Sequence, residues 1–79
     1  MNNKPGPHPH KREAASYWLT QRLSSGEGEL ASVLIAAAAD AGHNEYTLRD
    51  AKSGLVHVYS SGGRWMWRLL PEVIQQMNN

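Results

Sequence analysis

Seventy-nine residues leave room for one domain with a thin core and exclude a deep catalytic cleft, because a short chain buries a small share of its surface. A hydrophobic share of 41% excludes global disorder, and the absence of cysteine excludes disulfide staples and thiolate metal sites. A net charge of +1 does not by itself call for a polyanionic partner.

The distribution of charge is more informative than its sum. Every charged residue from Glu27 to Glu45 is acidic, whereas Arg49, Lys52, Arg64 and Arg68 outnumber Asp50 and Glu72 in the last third. One face can therefore be basic on a nearly neutral molecule. No segment reaches the roughly 20 apolar residues of a membrane helix, and no apolar run follows Lys4 as a signal peptide requires. The expectation is a cytoplasmic protein with no membrane partner.

Residues 1–10, rich in Pro with His8 and His10, predict a flexible, disordered tail. The two histidines lack a carboxylate partner and predict a solvated linker, with no metal. From Lys11 to Ser24, Ala15, Trp18, Leu19, Arg22 and Leu23 recur at helical spacing, with Trp18 and Leu19 in the core and Gly26 as a stop. Ser24 to Gly28 is a turn by composition, followed by a short strand near residues 27–30.

Glu29 to Ala41 predicts a second helix, with Leu30, Val33, Leu34, Ala37, Ala38 and Ala41 along one stripe. The alanine run within it is read as a good helix former. Gly42 suits a left-handed closing residue and Asn44 an N-cap, so a third helix follows after a very short connection, from Glu45 to Ser53. Leu48, Ala51 and Leu55 form its inner arc, which leaves Tyr46, Arg49, Asp50 and Ser53 outside.

Alternation in Leu55 to Ser60 and in Arg64 to Leu70, around Ser61-Gly62-Gly63, predicts a β-hairpin. Trp65, Trp67 and Leu69 share one side, and both tryptophans are expected in the core rather than stacked on bases. His57 is expected as a half-buried hairpin side chain. Residues 72–79 form a short tail with one helical turn, leaving residues 11–71 as the domain.

This order of elements predicts an α+β fold of the winged helix-turn-helix kind: three helices, then a two-stranded hairpin wing. In such a domain the third helix enters the major groove and the wing lies on the flanking backbone. Arg49 is the strongest base-contact candidate, since an exposed guanidinium can donate two hydrogen bonds to guanine. Asn44, Tyr46 and Thr47 suit phosphate near the helix start, Asp50 can orient Arg49 or accept from a cytosine amine, and Ser53 completes the face. In the wing, Ser60, Ser61, Gly62, Gly63 and Arg64 form a small tip with a cation at its base. His43 and His57 have no nucleophile beside them and no lysine-bearing phosphate loop exists, so neither an enzyme nor a cofactor is expected.

Ala41-Gly42-His43-Asn44-Glu45-Tyr46-Thr47-Leu48-Arg49-Asp50-Ala51-Lys52 and Gly62-Gly63-Arg64-Trp65-Met66-Trp67-Arg68-Leu69 together resemble motifs of a known family. This is the small winged-helix domain found at the C-terminus of phage and plasmid RecA-like replication ATPases and as free-standing phage-type proteins. His43 departs from the usual apolar residue and Asp50 from the usual base. The resemblance implies a bacterial or phage-infected host cell and a role on double-stranded DNA in replication, excision or transcriptional control. A homodimer or several copies on repeated sites, with a replication or regulatory protein as a further partner, would raise the affinity of so small a module. The alternative expectation is a winged-helix module that docks a replication or repressor protein.

Overall fold

The computed structural model describes residues 9–77, so the expected tail over residues 1–8 and the last two positions lie outside the described residues. The chain runs α1 (Pro9–Arg22), β1 (Glu29–Leu30), α2 (Ala31–Asp40), α3 (Glu45–Ala51), β2 (Val56–Ser61), β3 (Arg64–Leu69) and α4 (Pro71–Met77). The fold is α+β, with four helices and one antiparallel sheet of order β1-β3-β2 among the described residues.

Three helices close over one face of that sheet. Ala15, Leu19 and Leu23 from α1 and the turn after it meet Leu34 and Ala38 of α2, Leu48 and Ala51 of α3, and Trp67 and Leu69 of β3; all are buried. Each helix contributes small or branched side chains one turn apart, as an apolar stripe requires. α1 packs chiefly on α3, and α3 also meets α2. Arg22 adds a bidentate clasp to Glu29 at 2.9 and 3.1 Å, which ties the end of α1 to β1. That hydrogen bond, then the charge of Glu29, raises the guanidinium above its ordinary pKa.

The connection between α2 and α3 has a complete stereochemical account. Gly42 sits at φ 95°, where a Cβ is unfavourable, and the chain closes α2 with bonds from Gly42 N to Ala39 O and from His43 N to Ala38 O. These are the two bonds of a Schellman ending. Asn44, extended at φ −73° and ψ 162°, then caps α3 by accepting from Thr47 N at 2.8 Å. Only His43 separates the residue that ends one helix from the residue that starts the next.

The hairpin turns at Gly62 and Gly63, both at positive φ (59° and 78°), as a two-residue turn with the sheet's own twist requires. Its register pairs Val56 with Leu69, Val58 with Trp67 and Ser60 with Trp65 on one face, and His57 with Arg68, Tyr59 with Met66 and Ser61 with Arg64 on the other.

Several expectations need correction. Pro9 and His10 begin α1 instead of ending a tail, and α2 starts at Ala31 because Glu29 and Leu30 are taken up by pairing with Trp67 and Met66. α4 is longer than the single turn expected: Pro71 suits a first helical position, and Val73 and Ile74 pack against the core. Val33 is 45% exposed, since α2 turns Leu34 and Ala38 into the core, with Ala31 and Ile35 packed at its edge. Trp65 is 64% exposed although it shares a face with Trp67, because the helices cover β3 at Trp67 and Leu69 but stop short of its tip. His57 is exposed and stacks on Tyr59 at 5.7 Å.

Candidate functional site

α3 is held from beneath by Leu48 and Ala51, so its other side faces outward. Tyr46 is 83% exposed, and Arg49 and Asp50 are exposed with it; Ser53, expected as the last residue of this helix, is exposed beyond its end at Ala51. Thr47 is half-buried and its backbone N–H is committed to the Asn44 cap. Two of the charged residues are also committed. Arg49 Nε donates to Glu45 Oε2 at 2.8 Å, and Asp50 lies 3.6 Å from Arg12 of α1. Both pairs are about half exposed, so they hold weakly and yield to a stronger anion.

Two clefts flank this helix. One, of about 260 Å³, lies between the start of α1 and the α2–α3 connection, lined by His10, Lys11, His43, Asn44 and Thr47 among others. The second, of about 230 Å³, opens between α3 and the hairpin and is lined by Ala31, Arg49, Lys52, Val58, Trp65 and Trp67. No carboxylate lines either cleft. In the second, Lys52 Nζ stands 5.6 Å from the Trp67 ring centroid and couples helix to hairpin.

At the hairpin tip Ser60, Ser61, Gly62, Gly63 and Arg64 are all exposed, and nothing stands within 4 Å of where a Cβ on either glycine would lie. Strand alternation puts Arg64 on the outer face with Ser61, Tyr59 and Arg68, while Ser60 and Trp65 share the face of Val58 and Trp67. Arg49 and Arg64 are therefore both accessible but lie on opposite sides of the hairpin, so the one basic face expected from Arg49, Lys52, Arg64 and Arg68 is divided: Arg49 and Lys52 line the cleft, and Arg64 and Arg68 project from the outer face. Arg68 lies over Tyr59 at 5.5 Å on the outer face.

Sequence reasoning left out Lys52 and Trp65 as site residues. Lys52 was findable, since it follows Arg49 by three positions and so projects from nearly the same side of a helical turn. Trp65 was not, because alternation assigns a face without saying how far the cover extends. Among the described residues, Arg12, Arg22 and Arg49 have carboxylate partners, while Lys11, Lys52, Arg64 and Arg68 have none within 4.0 Å. These four, with Arg49 behind a weak pair, are the groups available to an anion. No cluster of three metal-ligating side chains forms among the described residues, and no helix there is long and apolar enough to cross a membrane.

No protein-family model, curated protein or solved structure matches this chain.

Proposed function

We propose that the chain is a non-enzymatic DNA-binding protein built as a winged helix, with α3 as the helix that enters the major groove and the β2–β3 hairpin as the wing. The order of helices and strands and the central position of β3 support this reading. The observation that carries it is the cleft in which Arg49 of α3, held by the half-exposed Glu45, and Lys52 at the end of that helix meet the glycine-tipped hairpin. A duplex presents base edges in a groove wide enough for a helix and phosphates at its rims, and this cleft offers cations beside an accessible helical face.

The dimensions favour more than one copy per site. Seven residues of α3 span about 10 Å at 1.5 Å each, or roughly three base pairs at 3.4 Å. So short a reading length gives useful selectivity only when repeated, as a homodimer or along repeated sites. The sequence resemblance suggests replication, excision or transcriptional control in a phage or mobile-element setting.

The second reading is a winged-helix module for a protein partner. It draws support from the exposed apolar Val58 and Trp65 on the cleft side and from the two α3 charges already paired within the chain. The two readings separate in a gel shift with mixed genomic fragments at low salt, where DNA binding appears through counterion release even without the target sequence. Absence of any shift there overturns the DNA reading.

A further inference from the structure

Of the three indoles, Trp18 is engaged by His43 and Arg22, each at 5.9 Å, and Trp67 by Lys52. Trp65 alone has no aromatic or cationic partner among the described residues, and it is the one of the three that is largely exposed. It is the second residue of β3, after Arg64, and nothing stands within 4 Å of where a Cβ on Gly62 or Gly63 of the turn would lie. It also lines the cleft that holds Arg49 and Lys52.

We infer that Trp65 is a base-stacking residue, and that the hairpin side of the cleft takes an unpaired nucleotide whose phosphate meets Lys52, which leaves Arg49 to the duplex. The inference rests on the DNA-binding reading and names the form of DNA that the site prefers. Within an intact duplex the face of each base is covered by its neighbours, so an indole reaches only edges and sugars. A base at a strand end, in an overhang or in a melted segment exposes its face, and stacking then covers apolar area on both partners. An exposed indole beside cations, with no carboxylate in the lining, matches that ligand: a flat apolar ring carried on a phosphate chain. Ser60, opposite Trp65 in the ladder, leaves the same face of the hairpin open beside it. The ligand is therefore DNA in which a duplex adjoins a single-stranded stretch, with α3 on the paired part and Trp65 on the unpaired part.

The test uses the full chain and its Trp65→Ala and Trp65→Tyr variants with three probes of one sequence: a blunt duplex, that duplex with a short single-stranded overhang, and the single strand. Wild type should bind the overhang probe more tightly than the blunt one, with quenching of indole emission. Trp65→Ala should lose that preference, its ratio of overhang to blunt affinity falling by roughly 5- to 150-fold if one stacked base is removed. Trp65→Tyr, which retains a ring, should keep part of it. Equal wild-type affinity for blunt and overhang probes overturns the inference and leaves the DNA reading standing. Absence of binding to all three probes sinks both. A Trp65→Ala variant that retains the overhang preference but loses concentration-dependent self-association in sedimentation also overturns the inference, since Trp65 would then be a contact between copies.

Discussion

The pairing of Arg49 with Glu45 makes a quantitative prediction about Glu45→Gln. The two side chains lie one helical turn apart, bonded at 2.8 Å and about half exposed, so the pair is worth about 0.3–0.5 kcal/mol. A phosphate that recruits Arg49 must first break it, which lowers affinity by about twofold. Replacing Glu45 with Gln removes that cost and also removes a negative charge from the face turned to DNA. Affinity for duplex at low salt should therefore rise by about two- to fivefold, and the slope of log affinity against log salt should steepen towards one further phosphate contact, or about 0.9. One such contact corresponds to about 3.5-fold in affinity between 50 and 200 mM salt. The fold should lose up to roughly 1 kcal/mol, the combined contribution of the pair and the first-turn charge of α3, so binding is compared well below Tm. Fluorescence anisotropy with a labelled duplex across a salt series, run on wild type, Glu45→Gln, Arg49→Ala and the double variant, separates the two effects. The gain that acts through Arg49 must vanish in the Arg49→Ala background, leaving only relief of repulsion. No gain from Glu45→Gln, or an equal gain in both backgrounds, refutes the reasoning.

Other expectations follow from the same geometry. Arg64→Ala should reduce the salt slope by about 1 with little change in sequence preference, whereas Arg49→Ala should relax preference as well; a salt titration over several duplex sequences distinguishes them. Asn44→Ala removes the side-chain cap of α3 and should cost about 1 kcal/mol, read as a fall of roughly 4–8 °C in Tm, while Asn44→Asp, whose carboxylate oxygen can accept the same bond from Thr47 N, should keep most of the stability. Leu48→Ala opens a cavity where α3 meets the core and should cost about 2–5 kcal/mol, enough to lower Tm by roughly 10 °C or more in a domain of this size.

Local signals along the chain identified much of this fold. The exposed face of α3 follows from Leu48 and Ala51 recurring on one side, and its start follows from Asn44, whose short amide reaches Thr47 N without help from elsewhere in the chain. The turn at Gly62 and Gly63 is equally local, since positive φ at two successive residues leaves few alternatives to glycine. What local pattern left open depends on separation. The short strand expected near residues 27–30 is present as β1, but its two residues show no alternation and its bounds are set by pairing with Trp67 and Met66. The partner of Asp50 is Arg12, on a different helix, and no spacing rule joins them. For the candidate site this matters most: Arg49, Asp50 and the hairpin tip were legible as exposed positions, but which charges remain uncommitted and where the cover over β3 ends are properties of the assembled molecule.

Strand β3 has a property that bears on how the domain responds to a ligand. It runs from an open tip at Arg64 and Trp65, through Trp67 with Lys52 set against it, to the sealed Leu69, with a neighbouring strand on each side. Six consecutive residues thus carry both the most accessible indole and part of the interior. Whatever grips the outer end pulls on a rod whose other end is anchored among the helices. Occupancy and resistance to melting are then two readings of one equilibrium, and a loosened interior would blunt recognition without touching a single contact residue.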